Sequence, residues 1–253
     1  MRRVGIIGAM PQEIDQIVSL LTDTTVISEA GRDYYSGLLN GIQAVVVFSR
    51  CGKVAAAATT CALIMRFKVT ELYFIGVAGG LSNQVKVGDI VVADRLVQHD
   101  MDARPLYERF QLPLLGKIYF ESDTTLSNRT LESVKELLGN NLQELLGIDI
   151  KSKFGIDKPV VVFGDVASGD QFINSDTKRE FIKRVLPDVK CVEMEGAAFA
   201  QICYEYGVPF CVIRIISDTA DQKADFDFLQ FVDIVASSYS RQIVKKLFFS
   251  DNS

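Results

Sequence analysis

Pro209-Phe210-Cys211-Val212-Ile213-Arg214-Ile215-Ile216 reads as one strand, apolar throughout except at Arg214. A strand with one wet face would alternate apolar and polar residues. One that is apolar on both faces lies between two layers, which predicts a central parallel strand in an α/β sheet. A buried guanidinium is tolerated only when paired, so Arg214 requires a carboxylate or an anionic ligand beside it. The strand runs into Ser217-Asp218-Thr219-Ala220-Asp221, which puts Asp218 at the sheet's carboxyl edge. Ligands collect there in open α/β sheets, but a helix-capping aspartate fits the position equally well.

Immediately upstream, Val189 to Val192 is a second apolar run, and Glu193-Met194-Glu195-Gly196-Ala197-Ala198 leads from it into a helical stretch ending near Tyr206. Acids at a helix start face unpaired N–H groups and gain about 0.3–1 kcal/mol each, which is sufficient reason for both glutamates. The small residues behind them suit a helix lying close to a backbone or a ligand. Glu193 and Glu195 are two residues apart and point in different directions, so each needs its own partner.

Further out the same strand-then-helix alternation recurs. Val4-Gly5-Ile6-Ile7-Gly8 is a buried strand, followed by Ala9-Met10-Pro11-Gln12-Glu13 and an amphipathic helix through Leu21, with Pro11 at the first helical position. Glu13 then serves either as a capping-type acid or, beyond a strand's carboxyl end, as a ligand-facing one. Val26 to Ala30, Tyr34 to Leu39 and Ile42 to Phe48 read as strands, and Asn40-Gly41 is a hairpin signal that makes the sheet mixed. An alanine-rich helix runs from Val54 to about Phe67. Leu72 to Ile75 is a strand ending in a glycine-rich turn, Gly76 to Gly80, and another strand begins at Gly88.

The stretch from His99 to Phe120 lacks periodicity and reads mostly as loop, with apolar residues that a neighbouring subunit could cover. Thr124 to Leu146 is helical, Lys151 to Lys158 a polar connector, and Pro159 to Phe163 a strand. Gly164 to Asn174 is a Gly/Asp-rich loop in which Phe172 either stacks on a flat ligand or folds into the core. Ser175 or Asp176 caps the helix to Val185. The last helix, Asp227 to Phe248, carries a core-docking stripe, and Phe228 at its start can wall a pocket.

Composition narrows the function. A net charge of −5 opposes sequence-independent nucleic-acid binding, and no apolar run approaches membrane-spanning length. Five cysteines without a C-x-x-C pair suit reduced thiols in a cytoplasmic protein. His99 is the only histidine, which excludes a histidine-rich metal site and favours carboxylates for acid–base work. Gly52-Lys53 lacks the upstream glycine of a phosphate loop, and Gly76 to Gly80 misses the dinucleotide spacing. No repeat or long linker divides the chain, so residues 1–253 read as a single domain.

Seven segments together resemble the 5'-methylthioadenosine/S-adenosylhomocysteine nucleosidases of the nucleoside phosphorylase superfamily. They are Gly5 to Met10 through Glu13, Gly52 to Ala57, Ala78 to Leu81, Val87 to Val91, Gly169 to Asn174, Val192 to Glu195 and Ile216 to Asp221, in the family's order from end to end. The resemblance implies an α/β/α sandwich with a central mixed sheet and a hydrolase of the N-glycosidic bond, serving methionine salvage without cofactor or metal. It assigns Asp218 to protonating adenine N7 and Glu13 to activating water. Glu195 grips a ribose hydroxyl, with Met194 against the sugar, Glu193 close by and Arg214 helping to place the water. Phe172 stacks on adenine and the Ile173 backbone reads its edge, while Ala78, Gly79, Ser217 and Ala220 complete the substrate contacts. Met10, Cys51 and Phe228 form the 5'-alkylthio pocket, to which Leu106 and Pro113 of a second subunit in a homodimer contribute. Val77 stands where many members carry a hydroxyl, and Cys51 where an aliphatic residue is common. A phosphate-dependent phosphorylase, a futalosine-type hydrolase and a non-catalytic nucleoside-binding module are the alternatives.

Overall fold

The computed structural model describes residues 1–139, 146–220 and 228–249. The strands are β1 Arg3–Gly8, β2 Thr22–Glu29, β3 Arg32–Leu39, β4 Ile42–Phe48, β5 Glu71–Gly80, β6 Ile90–Gln98, β7 Tyr119–Glu121, β8 Val161–Ser168, β9 Val189–Glu193 and β10 Phe210–Asp218. The helices are α1 Pro11–Val18, α2 Lys53–Met65, α3 Thr124–Gly139, α4 Ile148–Phe154, α5 Asp176–Val185, α6 Gly196–Tyr206 and α7 Phe228–Phe231. A π-helical segment, Val232–Ala236, continues α7 into α8 Ser237–Phe249.

Alternation along the central strands divides the apolar residues between two cores. Val4, Ile6, Tyr73, Ile75, Cys211, Ile213 and Ile215 pack with α1, α3 and α8 on one face. Ile7, Leu72, Phe74, Phe210, Val212 and Ile216 pack with α2 and α6 on the other. Strands apolar on both faces are thus the direct cause of helices on both faces.

The strands form one mixed sheet in the order β10-β6-β8-β9-β5-β1-β4-β3-β2, with a further β10–β5 pairing that closes the first five into a ring. β10 is central, but it runs parallel only to β5; its other partner, β6, is antiparallel. The all-parallel surroundings expected from its composition are therefore half right, because burial on both faces constrains hydrophobicity and not strand direction. The Asn40-Gly41 hairpin is present, with both residues at positive φ and Leu39 opposite Ile42.

The long strand β5 positions the site. Its first half pairs with β1 up to Phe74, and its end pairs with β9 at Gly79 and Gly80, so on that side it changes neighbour. The glycine run expected as a turn is consequently the end of a strand. Gly76 keeps it open: a Cβ there would lie 2.7 Å from Glu13 Oε1.

Other boundaries also differ from expectation. β8 continues through Ser168 because its pairing with β6 and β9 outweighs Gly164. The connector at 151–158 contains most of α4, a seven-residue helix that docks through the partly buried pair Ile150 and Phe154, one turn apart and so too short a pattern to read. Ser175 occupies the N-cap of α5 without a side-chain capping bond. Residues 140–145 of the helix expected to reach Leu146, together with Asp221 and the expected helix start at Asp227, fall outside the described residues; Leu146 itself is buried in a bend and not in a helix.

Candidate active site

The change of neighbour along β5 opens a cavity of about 130 Å³ at the carboxyl ends of the strands. Glu13 forms its floor, 2 % exposed. Pro11 starts α1 and puts Glu13 in its first turn, where Oε2 accepts the amides of Ala9 at 2.5 Å and Met10 at 3.0 Å. Its Oε1 accepts the Val77 amide at 3.1 Å, satisfying a donor on the stretch of β5 that has left β1. The capping role and the cavity-facing role therefore belong to one carboxylate. Burial raises the Glu13 pKa, and the Arg214 charge and the three amides oppose that rise without cancelling it.

Arg214, 1 % exposed, has the carboxylate its sequence position demanded. Glu193 Oε2 accepts its Nη2 at 2.6 Å and its Nε at 3.2 Å, and the guanidinium lies 4.5 Å over the Phe74 ring. Burial works against the Arg214 charge, but Glu193, Glu195 and Glu13 outweigh it and hold the pKa above the ordinary arginine value. Glu193 also accepts the amides of Glu195 and Gly196 at the start of α6 and the Ser168 hydroxyl. It is the helix-start acid foreseen from sequence.

Glu195 is not. Its Oε1 accepts the Gly52 amide at 2.7 Å, so it faces the start of α2 across 143 positions of sequence. Burial, followed by the Glu193 charge, pushes its pKa up to about 8. Met194 lies beside it on the cavity wall.

Asp218 is half-buried at the end of β10. It accepts the Ser217 hydroxyl at 2.6 Å and the Ala220 amide at 2.7 Å, and Gly79 leaves it room: a Cβ there would lie 2.9 Å from Oδ1. Phe172, 40 % exposed, stays out of the core and meets Phe228 edge-on at 5.6 Å across the cavity mouth. Ile173 is buried beside it. Cys51 also lines the cavity, and burial, with the Glu195 and Glu13 charges, pushes its thiol up to about 11, which keeps it protonated and a poor nucleophile.

The cavity thus gathers Met10, Glu13, Cys51, Val77, Ala78, Gly79, Phe172, Ile173, Glu193, Met194, Glu195, Ser217, Asp218 and Phe228. Arg214 stands behind Glu193, and Ala220 acts through its amide. Leu106 is 84 % exposed and Pro113 is exposed; neither lines this cavity. Ala9, Gln171 and Val192 line it unforeseen, each adjacent to a residue that was singled out. Ser168 had no sequence signal at all, since its partner is 25 positions away. His99 is buried against Gly169 outside the cavity, and burial lowers its pKa. Among the described residues no cluster of His, Cys, Asp or Glu could hold a metal ion.

Comparison with known proteins identifies the family. The family model of the phosphorylase superfamily matches residues 3–248. A 5'-methylthioadenosine/S-adenosylhomocysteine nucleosidase of Haemophilus influenzae (strain PittEE) is 37 % identical over 97 % of this chain and 98 % of the relative. The crystal structure of such a nucleosidase from Colwellia psychrerythraea 34H, in complex with adenine, superposes with a TM-score of 0.85 at 33 % identity, covering 97 % of this chain and 94 % of that one. The futalosine hydrolase of Helicobacter pylori strain 26695 gives 0.84 at 33 % identity, with 97 % of each chain covered. On a family model that spans nearly the whole chain and a relative matched end to end, the chain belongs to the phosphorylase superfamily and, within it, to the 5'-methylthioadenosine/S-adenosylhomocysteine nucleosidases.

Proposed function

We propose that the protein hydrolyses the N-glycosidic bond of 5'-methylthioadenosine and S-adenosylhomocysteine, and also of 5'-deoxyadenosine, releasing adenine and the 5-substituted ribose. One observation carries the reading: a single cavity combines a deeply buried carboxylate, Glu13, with a half-buried one, Asp218, at its edge. Cleavage passes through an oxocarbenium-like state, so the leaving adenine gains a proton while water attacks the opposite face of the sugar. In this reading Asp218 protonates adenine N7. Glu13 takes the proton of a water that Arg214 helps to place.

Glu195, which already accepts the Gly52 amide, holds a ribose hydroxyl with its other oxygen, and Met194 packs on the sugar. Phe172 stacks on adenine and the Ile173 backbone reads its edge, with Ala78, Gly79, Ser217 and Ala220 closing the base and sugar contacts. Met10, Cys51 and Phe228 receive the 5'-alkylthio group. Val77 supplies its amide to Glu13 and no hydroxyl to the water. Residues 1–253 act as one domain and pair as a cytoplasmic homodimer. The exposure of Leu106 and Pro113 supports the pairing, and the five free thiols support a reducing compartment.

No Lys, Arg or His appears among the described residues lining the cavity, and Glu13 would repel a phosphate nucleophile, which argues against a phosphorylase. A module that only binds nucleosides needs no acid and base together. The likeness to a futalosine hydrolase keeps futalosine-type nucleosides in the substrate test. The test is adenine release from 5'-methylthioadenosine without phosphate. Release with free methylthioribose is expected; release only with phosphate, or binding without release, overturns the reading.

A further inference from the structure

The two walls assigned to sugar and base come from separate parts of the chain. Glu195 is anchored to the start of α2, whereas Phe172 and Ile173 belong to residues 169–175, which lie beyond the strands and are tied to β9 through the Gly169 amide, 3.1 Å from the Glu193 carbonyl. A closed ring of polar contacts joins them. Asp170 Oδ1 accepts the Lys53 amide at 2.8 Å, one residue after the amide that Glu195 accepts. The Asp170 amide donates to Asp100 Oδ2 at 2.9 Å, and Asp100 Oδ1 accepts Lys53 Nζ at 2.7 Å.

Two further features fit this ring. Gly52 is at φ 96°, and a Cβ on it would lie 3.1 Å from Asp170 Oδ1, so glycine lets the carboxylate sit over the helix start. The Lys53 and Asp100 side chains are only 18 % and 20 % exposed, so water screens the pair weakly. Burial alone would raise the Asp100 pKa, but the Lys53 ammonium and the Asp170 amide bring it below the ordinary aspartate value.

We propose that Lys53, Asp100 and Asp170 form a latch holding the base-stacking wall against the sugar-binding wall, which makes Asp170 a positioning residue for the nucleoside. This rests on the nucleosidase reading for its substrate. Phe172 follows Asp170 by two residues, so opening the latch moves the base wall while Glu13, Glu193 and Arg214 keep their own contacts. Ground state and transition state lose the same base contact. The effect falls on KM, with kcat little changed.

The chain contains no tryptophan, so Phe172→Trp installs a single fluorescent reporter on that wall. In this background Asp170→Ala is expected to weaken adenine binding about tenfold and red-shift the emission, the size expected for losing a charge-assisted hydrogen bond. Asp170→Asn, whose carbonyl oxygen can accept the same amide, restores both. In otherwise unmodified enzyme Asp170→Ala raises KM for 5'-methylthioadenosine by a similar factor. Equal adenine affinity and emission in the Ala and Asn variants, or a loss confined to kcat, overturns the latch. If Asp170→Ala does not fold, Lys53→Met takes its place, and an unchanged KM with unchanged emission is the overturning result. An unmodified enzyme that releases no adenine defeats the nucleosidase reading instead, while the adenine titration still decides the latch.

Discussion

The floor of the cavity and its rim are built by different rules. At the floor and in the buried layer that supports it, Glu13, Glu193, Glu195 and Arg214 are each at most 7 % exposed, and each is fixed by backbone amides, by another charge, or by both. At the rim, Phe172 is 40 % exposed, Asp218 is half-buried, and the nearest aromatic contact is one edge-on meeting with Phe228. Desolvated charges are stable only when every partner is in place, so the floor has one geometry. The rim is held by fewer buried partners, chiefly the polar ring through Asp170, Asp100 and Lys53. In the proposed mechanism, nucleophile activation belongs to the floor and leaving-group recognition to the rim.

Breaking the floor tests this difference most severely. Glu13→Gln retains the shape but cannot take a proton from water, and adenine release should fall by about 10³-fold, within the range for a general base. Loss below tenfold in a steady-state assay would move activation of water to another group. Arg214→Leu leaves Glu193 charged and unpaired in the interior. Denaturant unfolding should show a loss of about 3–5 kcal/mol of stability, and pairing the change with Glu193→Gln should recover part of it.

The rim should respond differently. Asp218→Asn is expected to lower kcat by about 10²-fold while adenine affinity by calorimetry is largely kept, since it removes proton transfer and not the wall. Phe172→Ala should act mainly on binding, weakening adenine by about 1–3 kcal/mol, the range for stacking a base on an aromatic ring. A drop confined to kcat would contradict the division between floor and rim.

The smallest effect is one of pH. Glu195 has a folded-state pKa of about 8, above the ordinary carboxylate value of about 4.3. The folded protein therefore binds the proton more tightly than the unfolded chain does. The associated stability is fully present below the ordinary carboxylate range and is lost as pH rises towards 8. Thermal midpoints should fall over that window, and Glu195→Gln should make the fall shallower. An identical slope in the variant would show that Glu195 titrates elsewhere.

The readable and unreadable parts of the molecule follow from range. The hairpin at Asn40-Gly41, the strand of Glu13's approach and the two-faced strand β10 are local patterns, and each stands where its sequence put it. The helix α4 and the continuation of β8 escape local reading because α4 offers only one apolar pair, Ile150 and Phe154, and the end of β8 shows no alternation. Among the site residues, Glu13, Asp218 and Phe172 were visible as polar or aromatic residues just beyond strand ends. Ser168 and Asp170 were not visible in their supporting roles, because their meaning lies in partners on other elements.

By itself, then, the sequence determined a mixed, doubly covered sheet, an arginine that had to be paired and the segments that meet at strand ends. Periodicity and the cost of burying charge act residue by residue, which is why these could be read. Only the tertiary structure decided that β5 trades β1 for β9, that Glu193 rather than Glu195 takes Arg214, and that Glu195 reaches the amide of Gly52. Those choices depend on strand register and on hydrogen bonds a few ångströms long between residues as many as 143 positions apart, and no local pattern encodes them.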